Sequence, residues 1–253
     1  MELRIYLSGG IVVEHNGIVL VRDADLRGRQ TRLAFAYLIR ERRRSVSRTE
    51  MAEVLWPEQA PVAADSGLNA IISRLRAAIR PIPVPHEHLR LDSAFGQVRL
   101  WLPAEVWVDL DAATLALEAA ETALRAGDAK RAFGPATVAS VIARRPFLAD
   151  DDTAWAAAQR LKLRRKCQRA LECLSRVWLA CGEPELAVEA ADEAVALDRH
   201  REPAQRLLMQ AHAATGNRAE ALIVYGRLRE SLARDVGADP APETESLYLE
   251  LLA

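Results

Sequence analysis

Three glycines constrain the second half of this 253-residue chain more than any other feature. Gly127, Gly182 and Gly216 each stand between two alanine-rich amphipathic stretches, and each is followed five residues later by an alanine: Ala132, Ala187 and Ala221. A glycine in that place ends one helix, and the alanine lets the next helix approach its partner closely. Ala180–Ala187 and Ala214–Ala221 align without a gap, which puts Gly182 and Gly216 34 residues apart. The longer step from Gly127 to Gly182 leaves room for an insertion around Arg145-Pro146-Phe147. From Asp109 onward the Ala, Leu, Glu and Arg content favours helices alone.

Thirty-four residues is the tetratricopeptide period. One such helix pair cannot bury its apolar face alone, so the pairs stack, and their concave face usually binds proteins or peptides.

The first half reads differently. Leu3–Leu7, Ile11–Glu14 and Ile18–Val21 are short alternating or β-branched runs, and Asn16-Gly17 between the last two is a strong hairpin signal. Helices are predicted over Gln30–Glu41, Arg48–Leu55 and Asp65–Arg80. Ser47 with Glu50 three residues on forms a capping box, Trp56-Pro57 ends the second helix, and Pro81 ends the third. Two more strands, Leu89–Leu91 and Gln97–Leu102, flank Asp92–Gly96. Three strands, three helices and a terminal hairpin make the winged-helix order, with the hairpin as the wing. The predicted fold is thus an α+β N-terminal winged helix over residues 1–103, followed by an all-α tetratricopeptide-like repeat domain over 104–253.

On a helical wheel Leu68, Ile71, Ile72, Leu75 and Ile79 gather on one side of Asp65–Arg80. Ser66, Asn69, Ala70, Ser73, Ala77 and Arg80 gather on the other, with Arg74 and Arg76 on the flanks. A helix that enters the major groove needs this partition: an apolar anchor, short polar groups near base edges, and Arg residues that reach phosphates. These eight residues are the candidate DNA-binding set. The run Arg40-Glu41-Arg42-Arg43-Arg44 fits either a phosphate contact or a solvated helix C-terminus.

Charge supports a polyanionic partner for the first half only. Residues 1–103 hold 15 Arg, no Lys and 11 acidic residues, a balance of +4; the remainder holds 19 basic and 24 acidic residues, a balance of −5. No run of about 18 apolar residues is present, and the opening segment alternates instead of forming a signal peptide's apolar block. The expected location is cytoplasmic, without membrane association. Cys167, Cys173 and Cys181 lie in one predicted helix without C-x-x-C spacing and read as buried free thiols. His86-Glu87-His88 reads as an exposed loop, and Asp150-Asp151-Asp152 as capping for the helix that follows. No P-loop, dinucleotide glycine motif or spaced catalytic set is visible, so neither an enzyme nor a cofactor or metal site is expected.

Collinear stretches resemble the SARP family of bacterial regulators (Streptomyces antibiotic regulatory proteins), an OmpR-type winged helix followed by a bacterial transcriptional activation domain. The matching residues are Gly28-Arg29-Gln30-Thr31-Arg32, Val46-Ser47-Arg48 through Leu55-Trp56-Pro57, Leu68-Asn69 and Ser73-Arg74-Leu75-Arg76. Val108-Asp109-Leu110-Asp111, Pro146–Asp150, Gly216 through Tyr225, and Asp235–Glu243 continue the match. The resemblance implies that the third helix reads repeats in double-stranded promoter DNA, with a side-by-side dimer on DNA as one arrangement. It also implies that the protein recruits RNA polymerase through its sigma and alpha subunits. Two departures stand out. Ile71 occupies a position where the family commonly has a large polar residue. The wing carries Ala94-Phe95-Gly96-Gln97-Val98-Arg99 in place of the family's Pro-Gly-Tyr-Arg ending, so its tip has no basic residue. An interaction adaptor with a degenerate winged helix is the alternative the weak wing suggests; a ligand sensor is a third reading without a specific molecule to support it.

Overall fold

The computed structural model describes residues 2–58 and 64–253, which form two compact units. One is built from the chain up to Ala112 together with Arg145–Lys162, the other from Ala113–Arg144 and Leu163–Ala253. The insertion around Phe147 thus belongs with the first unit.

In the first unit β1 (Leu3–Tyr6), β2 (Val12–His15) and β3 (Ile18–Arg22) form an antiparallel meander. Asn16 and Gly17, at φ 50° and 83°, supply the paired positive angles that a two-residue hairpin turn requires. Helix α1 (Arg29–Arg40) follows, then β4 (Val46–Ser47), α2 (Arg48–Leu55), α3 (Ala64–Ile79), and the hairpin β5 (Arg90–Ala94) and β6 (Gln97–Trp101). The Ser47 hydroxyl caps α2 by accepting from the Glu50 amide at 3.0 Å. Two strands depart from the sequence expectation. β4 pairs with β6 to make a three-stranded sheet, β4-β6-β5, and β7 (Trp107–Val108) adds to β1 in parallel, giving the order β3-β2-β1-β7. Each is two residues long, too short to carry a periodic signal.

Helix α4 (Asp109–Arg125) begins where β7 ends. The Asp109 carboxylate is fully buried and accepts from the Leu7 amide at 3.0 Å, the Ser8 amide at 2.9 Å and the Ser8 hydroxyl at 2.7 Å. These bonds fix the end of β1, where Ser8 bridges to Phe147 and the Gly9 amide donates to the Pro146 carbonyl at 2.7 Å. Phe147 is buried against Trp155, whose ring meets Tyr37 of α1 edge-on at 5.2 Å. The hydrophobic gain from burying these aromatics holds the 145–162 segment in the first unit.

The second unit is helical: the greater part of α4, α5 (Ala129–Arg144), the later part of α6 (Ala154–Cys181), α7 (Pro184–Leu197), α8 (Glu202–Ala214), α9 (Arg218–Asp235) and α10 (Pro242–Leu252). The three punctuating glycines adopt φ 75°, 78° and 78°. At each, the glycine amide donates to the carbonyl three residues back and the next amide to the carbonyl five back, as in Gly182 to Leu179 (3.2 Å) and Glu183 to Trp178 (2.9 Å). This is the left-handed cap that ends a helix by satisfying its last carbonyls. Ala132, Ala187 and Ala221 are all fully buried. Ala191, Leu207, Leu208, Met209, Val224 and Tyr225 form the core of α7 to α9, and Tyr248 of α10 stacks on Tyr225 at 3.9 Å.

Two expectations need correction. Cys167 and Cys173 are buried, and burial pushes both thiols up to about 11, but Cys181 is exposed because it sits in the last turn of α6. The acidic run before α6 does not cap it directly. Thr153 does, its hydroxyl accepting from the Ala156 amide, while buried Asp151 holds Thr153 through its amide (3.0 Å) and hydroxyl (2.5 Å).

Replacing Asp109 with Ala leaves the Leu7 and Ser8 donors buried without an acceptor, at roughly 1–3 kcal/mol each. Urea unfolding followed by tryptophan emission reports chiefly on the first unit, which holds Trp56, Trp101, Trp107 and Trp155. It is expected to show a loss of about 3 kcal/mol; a loss under about 1 kcal/mol would contradict this role.

Candidate nucleic-acid interface

Helix α3 divides its residues cleanly. Leu68, Ile71, Ile72, Leu75 and Ile79 are buried, Ile71 at 2% exposure despite its unusual identity. Ser66, Asn69, Ala70, Ser73, Arg74, Arg76, Ala77 and Arg80 are all exposed. Gly67 lets α3 lie against Trp56, since a Cβ there would stand 3.3 Å from the indole ring. The small side chains at 66, 70, 73 and 77 leave the outer face low, so a flat or grooved partner can approach the backbone.

The arginines of this face differ in their freedom. Arg76 donates its Nε to the Leu91 carbonyl at 3.0 Å, which ties α3 to β5 and leaves only its terminal nitrogens for a ligand. Arg74 and Ala77 line a shallow hollow with Arg27 and Pro81. Sequence reasoning missed Arg48. From the first position of α2 its backbone amide donates to the Gly96 carbonyl at 2.9 Å. Its guanidinium donates to Asn69 Oδ1 at 2.9 Å and, at 3.3 Å, to Ser93 Oγ and to the Asp65 carboxylate. The partners lie 17 to 45 residues away, so no local pattern announces them.

At the tip of the β5–β6 hairpin Phe95 (φ 50°) and Gly96 (φ 73°) make the turn, and the Phe95 ring is fully exposed. The hairpin's arginines are used along its strands. Arg99 lies 3.7 Å and Arg90 4.6 Å from the Trp101 ring centre, and Asp92 accepts from Trp101 Nε1 at 2.7 Å. In the 40–44 run Arg40 pairs with Asp111 at 2.5 Å, Arg42 also pairs with Asp111, and Arg44 bridges Glu41 (2.7 Å) and Glu50. Most of that basic charge therefore has an internal acidic partner.

Glu50 is the most perturbed carboxylate here. Hydrogen bonding from Arg44, and then from the Tyr37 hydroxyl at 2.5 Å, lowers it from 4.5 to about 2. Burial and the same carboxylate push the Tyr37 phenol well above its usual range. His86 and His88 are exposed, and among the described residues no three His, Cys, Asp or Glu side chains gather as metal ligands would. No described helix is long and apolar enough to cross a membrane.

A lowered carboxylate stabilises the fold above pH 4.5, and this contribution is lost as pH falls toward 2. Glu50→Gln is expected to lower Tm at pH 7 and to flatten the fall of Tm with acid across that window. Parallel Tm-against-pH curves for the two proteins would show that the pair is not coupled to folding.

Comparison with known proteins finds relatives that are regulators by name. The chain is 30% identical over 223 residues to the regulatory protein AfsR of Streptomyces coelicolor, covering 88% of this chain but only 22% of AfsR. It is 23% identical over 222 residues to the transcriptional regulatory protein MoaR1 of Mycobacterium tuberculosis, 87% of this chain and 71% of MoaR1. The solved structure of Mycobacterium tuberculosis EmbR in complex with a low-affinity phosphopeptide has the same fold, with a TM-score of 0.86 at 24% identity over 99% of this chain and 65% of EmbR. Residues 108–252 match the bacterial transcriptional activator domain, more than half of the chain. The chain belongs to the bacterial transcriptional activator domain family.

Proposed function

We propose that the first unit is a winged helix that binds promoter DNA in a sequence-specific way, with α3 in the major groove and the β5–β6 hairpin as its wing. The observation that carries this reading is the partition of α3, with five apolar residues buried and seven candidate contact residues exposed, as is Arg80 just beyond its end. A recognition helix needs that division, and the +4 balance of residues 1–103 suits a phosphate-lined partner. Ser66, Asn69, Ala70 and Ser73 face the base edges; Arg74, Arg80 and the free nitrogens of Arg76 reach the backbone. The second unit acts as the activation domain, a tetratricopeptide-like stack that recruits RNA polymerase through its sigma and alpha subunits. The AfsR and MoaR1 relatives, regulators by name, support that role.

The bare hairpin tip, with an exposed Phe95 and no basic side chain, favours one other reading: an adaptor whose first unit holds a protein. Fluorescence anisotropy of the full chain with duplexes from its own promoter region, at two salt concentrations, separates the two. The proposal predicts tighter binding to promoter than to scrambled duplex and a strong salt dependence. Arg80→Ala should weaken binding to every duplex and reduce the salt slope by about one. Binding that ignores both salt and sequence would overturn the proposal in favour of the adaptor.

A further inference from the structure

Asn69 is the one side-chain amide on the exposed face of α3, with a donor nitrogen and an acceptor oxygen that either orientation could present to a base, and Arg48 removes that ambiguity. A guanidinium carries donors only. The Asn69 atom that lies 2.9 Å from Arg48 is therefore the carbonyl oxygen, and the amide nitrogen is turned away from it. Arg48 cannot easily swing aside. Its guanidinium also holds Asp65 and Ser93, its backbone amide holds Gly96, and its side chain is only 22% exposed. Asn69 is thus fixed in one of its two amide orientations by a cation that bonds α2 to both α3 and the hairpin.

From this juxtaposition we infer that Arg48 sets the base preference of Asn69, making it a reader of guanine instead of adenine; the inference rests on the reading of α3 as a DNA-recognition helix. An unrestrained Asn pairs with adenine by accepting from N6 with its oxygen while donating to N7 with its nitrogen. Here the oxygen is already engaged by a positive charge, which draws its electron density and occupies one side of it. What remains to face the groove is a pair of N–H donors. Guanine offers two neighbouring acceptors, O6 and N7, whereas adenine sets a donor beside its N7 that the engaged oxygen cannot readily receive. Arg48 is in this account a positioning residue: it touches no base, and its effect is exerted through Asn69.

The test measures binding of the full chain to duplexes that carry each of the four base pairs in turn along a bound promoter site. Asn69→Ala identifies the position it reads as the one where discrimination disappears. The wild-type chain is expected to prefer guanine over adenine there by about tenfold, in line with one directed contact. Arg48→Ala releases the oxygen and should move the preference at that position toward adenine, with other positions unchanged. Arg48→Lys, which still donates, should retain guanine. A wild-type preference for adenine at the Asn69 position overturns the inference, whether or not Arg48→Ala folds. So does a folded Arg48→Ala chain that still selects guanine. In both cases sequence-specific binding persists and α3 remains the reader. Loss of all sequence preference in the wild-type chain would overturn the parent reading as well, a different result from either.

Discussion

One buried carboxylate closes the first unit. Asp109 accepts from two backbone amides and a hydroxyl across 101 and 102 residues of chain, converting the open end of β1 into a fixed corner. Hydrogen bonds to a charged acceptor are stronger than neutral ones, and burial leaves these donors no water as an alternative. The consequences propagate through contacts. Asp111, two residues further on, binds Arg40 and Arg42, so the C-terminal end of α1 is held to the start of α4. Helix α1 in turn packs on α3. The orientation of the exposed α3 face therefore depends on a residue far from it in sequence, at the junction between β7 and α4.

Periodic features were legible in the sequence. The apolar stripe of α3, the Asn16-Gly17 hairpin and the glycine caps each repeat a local rule, and local rules survive when a chain is read one window at a time. The short strands β4 and β7 were not legible, because two residues paired to distant partners carry no pattern of their own. Nor was the return of Phe147 and Trp155 to the first unit, since burial there depends on Tyr37. Pro135 lies inside α5, where a proline removes a backbone donor and normally ends a helix; only the surrounding packing shows otherwise.

The candidate site was half legible for the same reason. A helical wheel sorts side chains into inward and outward sets, and all eight residues assigned outward are exposed. It says nothing about what those residues already hold. Arg76 spends its Nε on a strand carbonyl, and Asn69 lends its oxygen to Arg48. Such bonds decide chemistry more than exposure does, because a polar group engaged inside the protein offers a partner only what is left over. The arginines along the hairpin follow suit, committed to Trp101 rather than to its tip.

In this account the exposed face of α3 meets the duplex. Amide hydrogen exchange of the full chain, with and without an excess of a promoter duplex, tests that most directly. Slowed exchange across α3 and the first turn of α2, where Arg48 links them, is the predicted result. Slowing confined to the helices of the second unit, with α3 unchanged, would contradict it.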